Sequence, residues 1–190
     1  MHLVRQDEEA TRVAGQELFK RVIADYSGDR LQVLSATEQL GITFADAGDP
    51  DQAANYLRQV LQLIAESVTG RSGTTGMTEV LLAGILIAKG HRADMQEAKT
   101  LLDAVKPEIS RMRMFRDSVL RYLVAQARVA EALGDVGAES FASDSLAVAA
   151  ELEPSIPLHP DLGRPIASPK VREEMRRIAG VSSVESPQRK

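Results

Sequence analysis

The stretch Leu40-Gly41-Ile42-Thr43-Phe44-Ala45-Asp46-Ala47-Gly48-Asp49-Pro50-Asp51-Gln52-Ala53-Ala54-Asn55-Tyr56-Leu57 decides the fold. It holds the end of one helix, a turn, and the start of another. Upstream, Leu31, Leu34, Leu40 and Phe44 recur at helical spacing, and Ala47-Gly48 ends the run, Gly being favoured just past a helix end. Downstream, Asp49 can cap the next helix, Pro50 suits a first turn that needs no N–H, and Gln52 completes a capping-box-like pattern. From Pro50 to Thr69 the residues Ala53, Leu57, Val60, Leu61, Ile64 and Val68 form one apolar stripe. A connection of two or three residues makes these helices pack antiparallel.

The same unit recurs twice. Met77 to Lys89 is apolar nearly all round, as expected of a central helix, and stops at Gly90. Asp94 then serves as a cap with Glu97 three residues on, and Met95, Ala98, Leu101, Leu102 and Val105 carry the next helix. A third pair runs from about Glu108 to Leu133, breaks at Gly134-Asp135, and resumes with Phe141, Ala142, Leu146, Ala149 and Leu152 before Pro154. The turn glycines Gly48, Gly90 and Gly134 are 42 and 44 residues apart, and Ala53, Ala98 and Ala142 are 45 and 44 apart. Such a period points to a helical solenoid, in which each pair buries its apolar face by stacking on the next. A helix from about Asp7 to Tyr26, ended by Ser27-Gly28, caps the first pair at its N-terminal side. No stretch shows the period-two alternation of a half-buried strand, so the chain reads as all-α.

The C-terminal part has another character. Pro154, Pro157, Pro160, Pro165 and Pro169 crowd sixteen residues, which makes 155–169 a proline-rich linker rather than helix. A short helix follows, with Ser168 as cap, Pro169 in the first turn, Val171, Met175 and Ile178 on one face, and Gly180 as stop. From Arg164 to the end there are seven positive residues against three negative, and Ser182 to Lys190 read as a disordered tail. The expected organisation is a repeat domain over 1–154, with pairs at about 31–69, 75–106 and 108–153, then the linker, then a short basic helix and tail over 170–190.

Composition narrows the chemistry. With 190 residues the chain can bury a real core, and aromatics are only 4%, so that core is mostly Ala, Leu and Val. There is no Cys, which excludes disulfides, thiolate metal sites and cysteine nucleophiles. His2, His91, and His159 with Asp161 two residues on supply too few convergent ligands for a metal, and no catalytic set or cofactor motif can be assigned. Gly70-Arg71-Ser72-Gly73-Thr74-Thr75-Gly76 lacks the Lys-Ser/Thr of a phosphate-binding loop and follows a helix, so it reads as a flexible inter-repeat loop. The formal charge of −4 argues against nucleic-acid binding by the chain as a whole. No apolar run approaches a membrane span, the longest being Val80 to Ala88, and the acidic N-terminus is unlike a secretory signal, so a cytoplasmic location is expected. One basic cluster stands out, Arg111, Arg113 and Arg116 with Arg121 and Arg128, interleaved with Met112, Met114, Phe115 and Tyr122. Its ordinary reading is a single amphipathic helix with the arginines facing water or an acidic partner.

Taken together, the pattern resembles the tetratricopeptide repeat. Leu40-Gly41 followed by Phe44 is similar to the family's Leu-Gly and later aromatic, Gly48-Asp49 to its turn, and Ala53 to the small residue where the helices cross. Gly134-Asp135, Ala142, Leu146 and Ala149 repeat this, while Ala83, Gly90 and Ala98 take the small positions between. The family's early Trp is absent, and the repeats are longer than usual, so a related helical repeat or an irregular bundle stays open. The resemblance implies a short right-handed solenoid of about three hairpins whose first helices line a concave groove. Its lining would be Ser35, Glu38, Ile42 and Asp46, then Met77, Val80, Gly84 and Ile87, then Arg121, Val124, Arg128 and Glu131. The Lys, Arg and Asn pattern that clamps chaperone tails is missing. What remains is an apolar floor at Val80 and Ile87 between acidic and basic edges, suited to an amphipathic helix or peptide. The chain's own C-terminal helix, or a second copy in a homo-oligomer, is the competing occupant. The expected function is therefore a non-catalytic protein–protein interaction scaffold or adaptor. The alternative is a regulatory or sensory module of a signalling or transcription system, touching a nucleic-acid machine through the basic helix or tail.

Overall fold

A computed structural model describes residues 2–68, 70–151, 153, 159 and 162–181, with side-chain surroundings from residue 9 onward. Among these residues there are eight helices and no strand. They fall into two compact units, residues 1–85 and 86–190.

The first unit holds α1 (His2–Asp25), α2 (Arg30–Asp46), α3 (Pro50–Ala65) and the start of α4 (Thr78–Lys89). Here α1 packs on α2 and α2 on α3. The caps are local chemistry. Asp29 accepts from the Leu31 and Gln32 N–H groups at 3.1 and 3.2 Å, and Asp49 accepts from Gln52 N–H at 3.1 Å. Leu34, Leu40, Ala53, Leu57 and Val60 are buried to the last atom or nearly so, each larger side chain giving about 1.5–3 kcal/mol by leaving water. Gly41 is where the hairpin closes. A Cβ there would lie 2.8 Å from Leu57 Cγ and 3.4 Å from the Ala53 carbonyl oxygen. Phe44 stacks on Tyr56 beside it, ring centroids 5.4 Å apart and planes 6° from parallel. The hairpin turn needs Gly48 at φ +77°, and the other turn glycines, Gly90 and Gly134, take the same left-handed conformation at +77° and +74°. The stripe of α3 is shorter than expected: the helix ends at Ala65, leaving Val68 fully exposed.

The second unit holds the end of α4 with α5 (Arg92–Arg111), α6 (Arg116–Leu133), α7 (Ala138–Ala150) and α8 (Pro169–Ile178). α5 packs on α6, α6 on α7, and α8 on both α7 and α6. Two expectations are corrected. α5 starts at Arg92 after His91, which makes no side-chain cap bond, so Asp94 sits in the first turn instead of capping. The expected helix from Glu108 to Leu133 is two helices. α5 carries through Pro107 to Arg111, because Val105 and Ile109, four residues apart, both bury on its core face, and the break falls at Met112 to Phe115. Toward the C-terminus, α8 has the expected form: Ser168 Oγ accepts from Val171 N–H at 3.3 Å, Pro169 sits in the first turn, and Met175 and Ile178 are buried. Leu152, Pro154, Pro157, Pro160, Asp161 and the tail from Ser182 to Lys190 lie outside the described residues.

Candidate functional site: the face under the C-terminal helix

α6 is the longest buried stretch of the second unit. Leu120, Val124 and Ala127, spaced four and three residues apart, form a stripe on it that joins Ala142 and Ala149 of α7. Three of these five residues are alanines, so the floor is shallow. Met175, 1% exposed, and Ile178, 7% exposed, fill it from α8, with Val171 half-buried at the edge.

Charge frames that apolar contact on α6. Arg128 grips Glu174 with two prongs, Nε to Oε1 at 2.9 Å and Nη2 to Oε2 at 2.7 Å. Three residues on, Glu131 receives two bonds from Arg177, at 2.6 and 2.7 Å. These bonds lower the Glu131 pKa, partial burial opposes the shift, and the guanidinium charge adds to it. Behind α8, Arg172 donates to the Ala149 carbonyl at 3.4 Å and so closes the end of α7. The backbone that leads into α8 is tied down as well, Asp117 N–H donating to the Gly163 carbonyl at 3.1 Å.

Other predicted groove residues have mixed positions. In the first unit Glu38, Met77 and Val80 are buried, Ile42 is half-buried and Asp46 is exposed. Glu38 is engaged within the chain. Its carboxylate accepts from Thr75 N–H at 2.7 Å, Thr75 Oγ1 at 3.0 Å and Thr78 Oγ1 at 2.5 Å. Of the Gly70 to Gly76 loop, Thr75 supplies two of these donors, and the third comes from Thr78 at the start of α4. In the second unit Val124 is buried, Ile87 and Arg128 are half-buried, and Arg121 and Glu131 are exposed.

The arginine cluster does not form one helical face. Arg111 closes α5 and bonds to Glu108 at 2.8 Å, Arg113 lies exposed in the turn, and Arg116 opens α6. Arg116 reaches the Glu151 carboxylate and the Glu153 carbonyl, both at 2.7 Å. A cleft of about 520 Å³ between the ends of α2 and α3 is lined by Asp29, Arg30 and Glu66, but Arg30 turns back to the Leu63 carbonyl. Among the described residues no three of His, Asp and Glu gather as a metal site, and no helix is long and apolar enough to cross a membrane.

The anchoring role of Glu38 and the two Arg–Glu clamps are the features that periodicity alone does not assign. No protein family, curated protein or solved structure matches the chain.

Proposed function

We propose that this chain is a non-catalytic interaction scaffold of the cytoplasm, built from helix hairpins that resemble tetratricopeptide repeats, and that it binds a helical or extended segment of a partner protein. One observation carries the reading: the α6–α7 face holds the chain's own amphipathic α8 on a shallow apolar floor flanked by complementary charges, the geometry by which a helix-in-groove site would hold a partner's helix. The order of the pairs supports the repeat reading too. Arg128 meets Glu174 and Glu131 meets Arg177, so α8 runs parallel to α6, the direction expected of the first helix of a further hairpin.

The experiment is capture of partners from native lysate by the 190-residue chain, with mass-spectrometric identification. Wild type is compared with Arg128→Glu/Glu131→Arg, which reverses the two charges that flank the α6–α7 face. A partner held by wild type and lost by the variant supports the scaffold. Capture no greater than that of a tag-only control refutes it, and identical capture by both chains puts the binding site away from the α6–α7 face.

A further inference from the structure

The contacts of α8 specify what kind of helix its face will take. Glu174 and Arg177 stand three residues apart on α8, Arg128 and Glu131 three apart on α6, and acid meets base at both. Turning the docked helix end for end would bring Arg177 to Arg128 and Glu174 to Glu131, two like-charge contacts. The pattern therefore selects direction as well as composition. Between these pairs the floor of Leu120, Val124 and three alanines asks for a long, adaptable side chain, which Met175 supplies, and a second apolar residue three positions on, which Ile178 supplies.

The occupant itself is weakly built. α8 has ten residues, fewer than the roughly 12–15 that an isolated helix needs in water, so its helical form depends on docking. Both clamps are open to water, with side-chain exposures of 34% and 27% in one and 62% and 39% in the other. Short elements with few buried contacts belong to the low-stability end of a fold and open before the rest.

We propose that the α6–α7 face under α8 is an exchangeable docking site for a short amphipathic helix of another protein. That helix runs parallel to α6, presents an acidic residue to Arg128 and a basic residue three positions later to Glu131, and places Met- or Ile-like side chains on the floor. α8 is the resident competitor, so the chain binds the partner to the degree that α8 lets go. This rests on the interaction reading above and names the partner class for one face of it.

The test uses the 190-residue chain and a fluorescein-labelled peptide of the sequence Ser168 to Val181, followed by anisotropy. In the Glu174→Arg/Arg177→Glu chain the resident helix no longer matches its face. The peptide should bind this chain at least about tenfold more tightly than wild type, because a larger fraction of faces is free. The Arg128→Glu/Glu131→Arg chain should reject that peptide and bind one carrying both α8 reversals. A chain with all four reversals restores the match in cis and should exclude the reversed peptide as wild type excludes the native one. Three results would overturn the proposal: no binding to either half-reversed chain at the highest soluble peptide concentration, binding that ignores the charge pattern, or unfolding of both half-reversed chains while the fourfold chain folds. If a partner is still captured from lysate in any of these cases, the scaffold reading survives and only the exchangeable face is lost.

Discussion

Glu38 gives the sharpest test of how the first unit holds together. Its side chain is 1% exposed, and its carboxylate takes three hydrogen bonds, from Thr75 N–H, Thr75 Oγ1 and Thr78 Oγ1. Thr75 is exposed, so its donors can turn to water when the carboxylate is gone. Thr78 is fully buried, so its hydroxyl must find another acceptor or remain unpaired. Hydrogen bonds to a charged acceptor are worth about 1.5–3 kcal/mol each, and an orphaned buried group costs about 1–3 kcal/mol. Counting the Thr78 bond in full, the Thr75 bonds in part, and a small cavity, Glu38→Ala should cost about 3–5 kcal/mol. Glu38→Gln keeps the shape and one acceptor oxygen but turns a donor toward donors, and should cost about 1–3 kcal/mol. Folded domains hold about 5–15 kcal/mol in all, so the alanine variant should be visibly weakened. The assay is urea unfolding followed by circular dichroism, in which the midpoint falls and the slope is unchanged. A cycle with Thr78→Val isolates the contact: its cost should drop by about 1–2 kcal/mol once Glu38 is alanine. A Glu38→Ala loss under about 1 kcal/mol, or a Thr78→Val cost equal in both backgrounds, would refute the claim that this carboxylate anchors the loop.

Three further outcomes follow from local geometry. Gly41→Ala should destabilise by about 1–3 kcal/mol, since its Cβ would meet Leu57 Cγ at 2.8 Å, whereas Gly84→Ala in α4 meets nothing within 4 Å and should stabilise by about 0.5–1 kcal/mol; paired thermal melts check both. Glu131 is lowered by its Arg177 bonds, so its contribution to docking α8 is complete above the unfolded glutamate value of about 4.3 and is lost as pH falls through the lower folded value. Amide exchange at Met175 and Ile178 between pH 6 and 3 should show that loss, and Glu131→Gln should flatten it. Burial raises the Tyr122 pKa, against a lowering by its 2.7 Å bond from Gln126, so the folded chain keeps this proton above about pH 10 where the unfolded chain releases it. Stability should therefore fall as pH rises past that point. Tyr122→Phe should remove this share of the loss while costing about 1 kcal/mol at pH 8, read by urea unfolding at both pH values.

What the sequence made legible was local. Asp49, Pro50, Ser168 and Pro169 act on the next turn of chain, and the turn glycines and Gly41 are read from spacing, so these held without tertiary information. The sequence spacing starts the third pair at about Glu108, whereas α5 runs on through Pro107, a residue that ordinarily ends a helix, because Ile109 beyond it is buried. Spacing alone puts Glu38 on the lining of the groove, because the groups it bonds to lie 37 to 40 residues away. A signal was present nonetheless. Leu34, Glu38 and Gly41 fall at i, i+4 and i+7, so a charged residue sits on the same stripe as buried neighbours and has to find donors inside. The arginine cluster misled for the opposite reason: a dense run of one charge suggested one face, while the chain turns at Met112 to Phe115 and sends Arg116 to the acidic end of α7.

The division of labour on α6 explains why the docked helix was only half visible. Leu120, Val124 and Ala127 provide burial, which is non-directional and would accept α8 in either orientation or a slipped register. Ion pairs as open to water as those of Arg128 and Glu131, one partly and one largely exposed, add little net stability, because water already serves the partners well. What they add is discrimination: one direction brings two opposite-charge contacts, the reverse brings two repulsions. Replacing all four residues with apolar ones would therefore hold a helix without dictating which helix or which way round. Composition and periodicity report the burial, whereas the discrimination lies in the match between residues 128 and 131 and residues 174 and 177, which only the folded unit brings together.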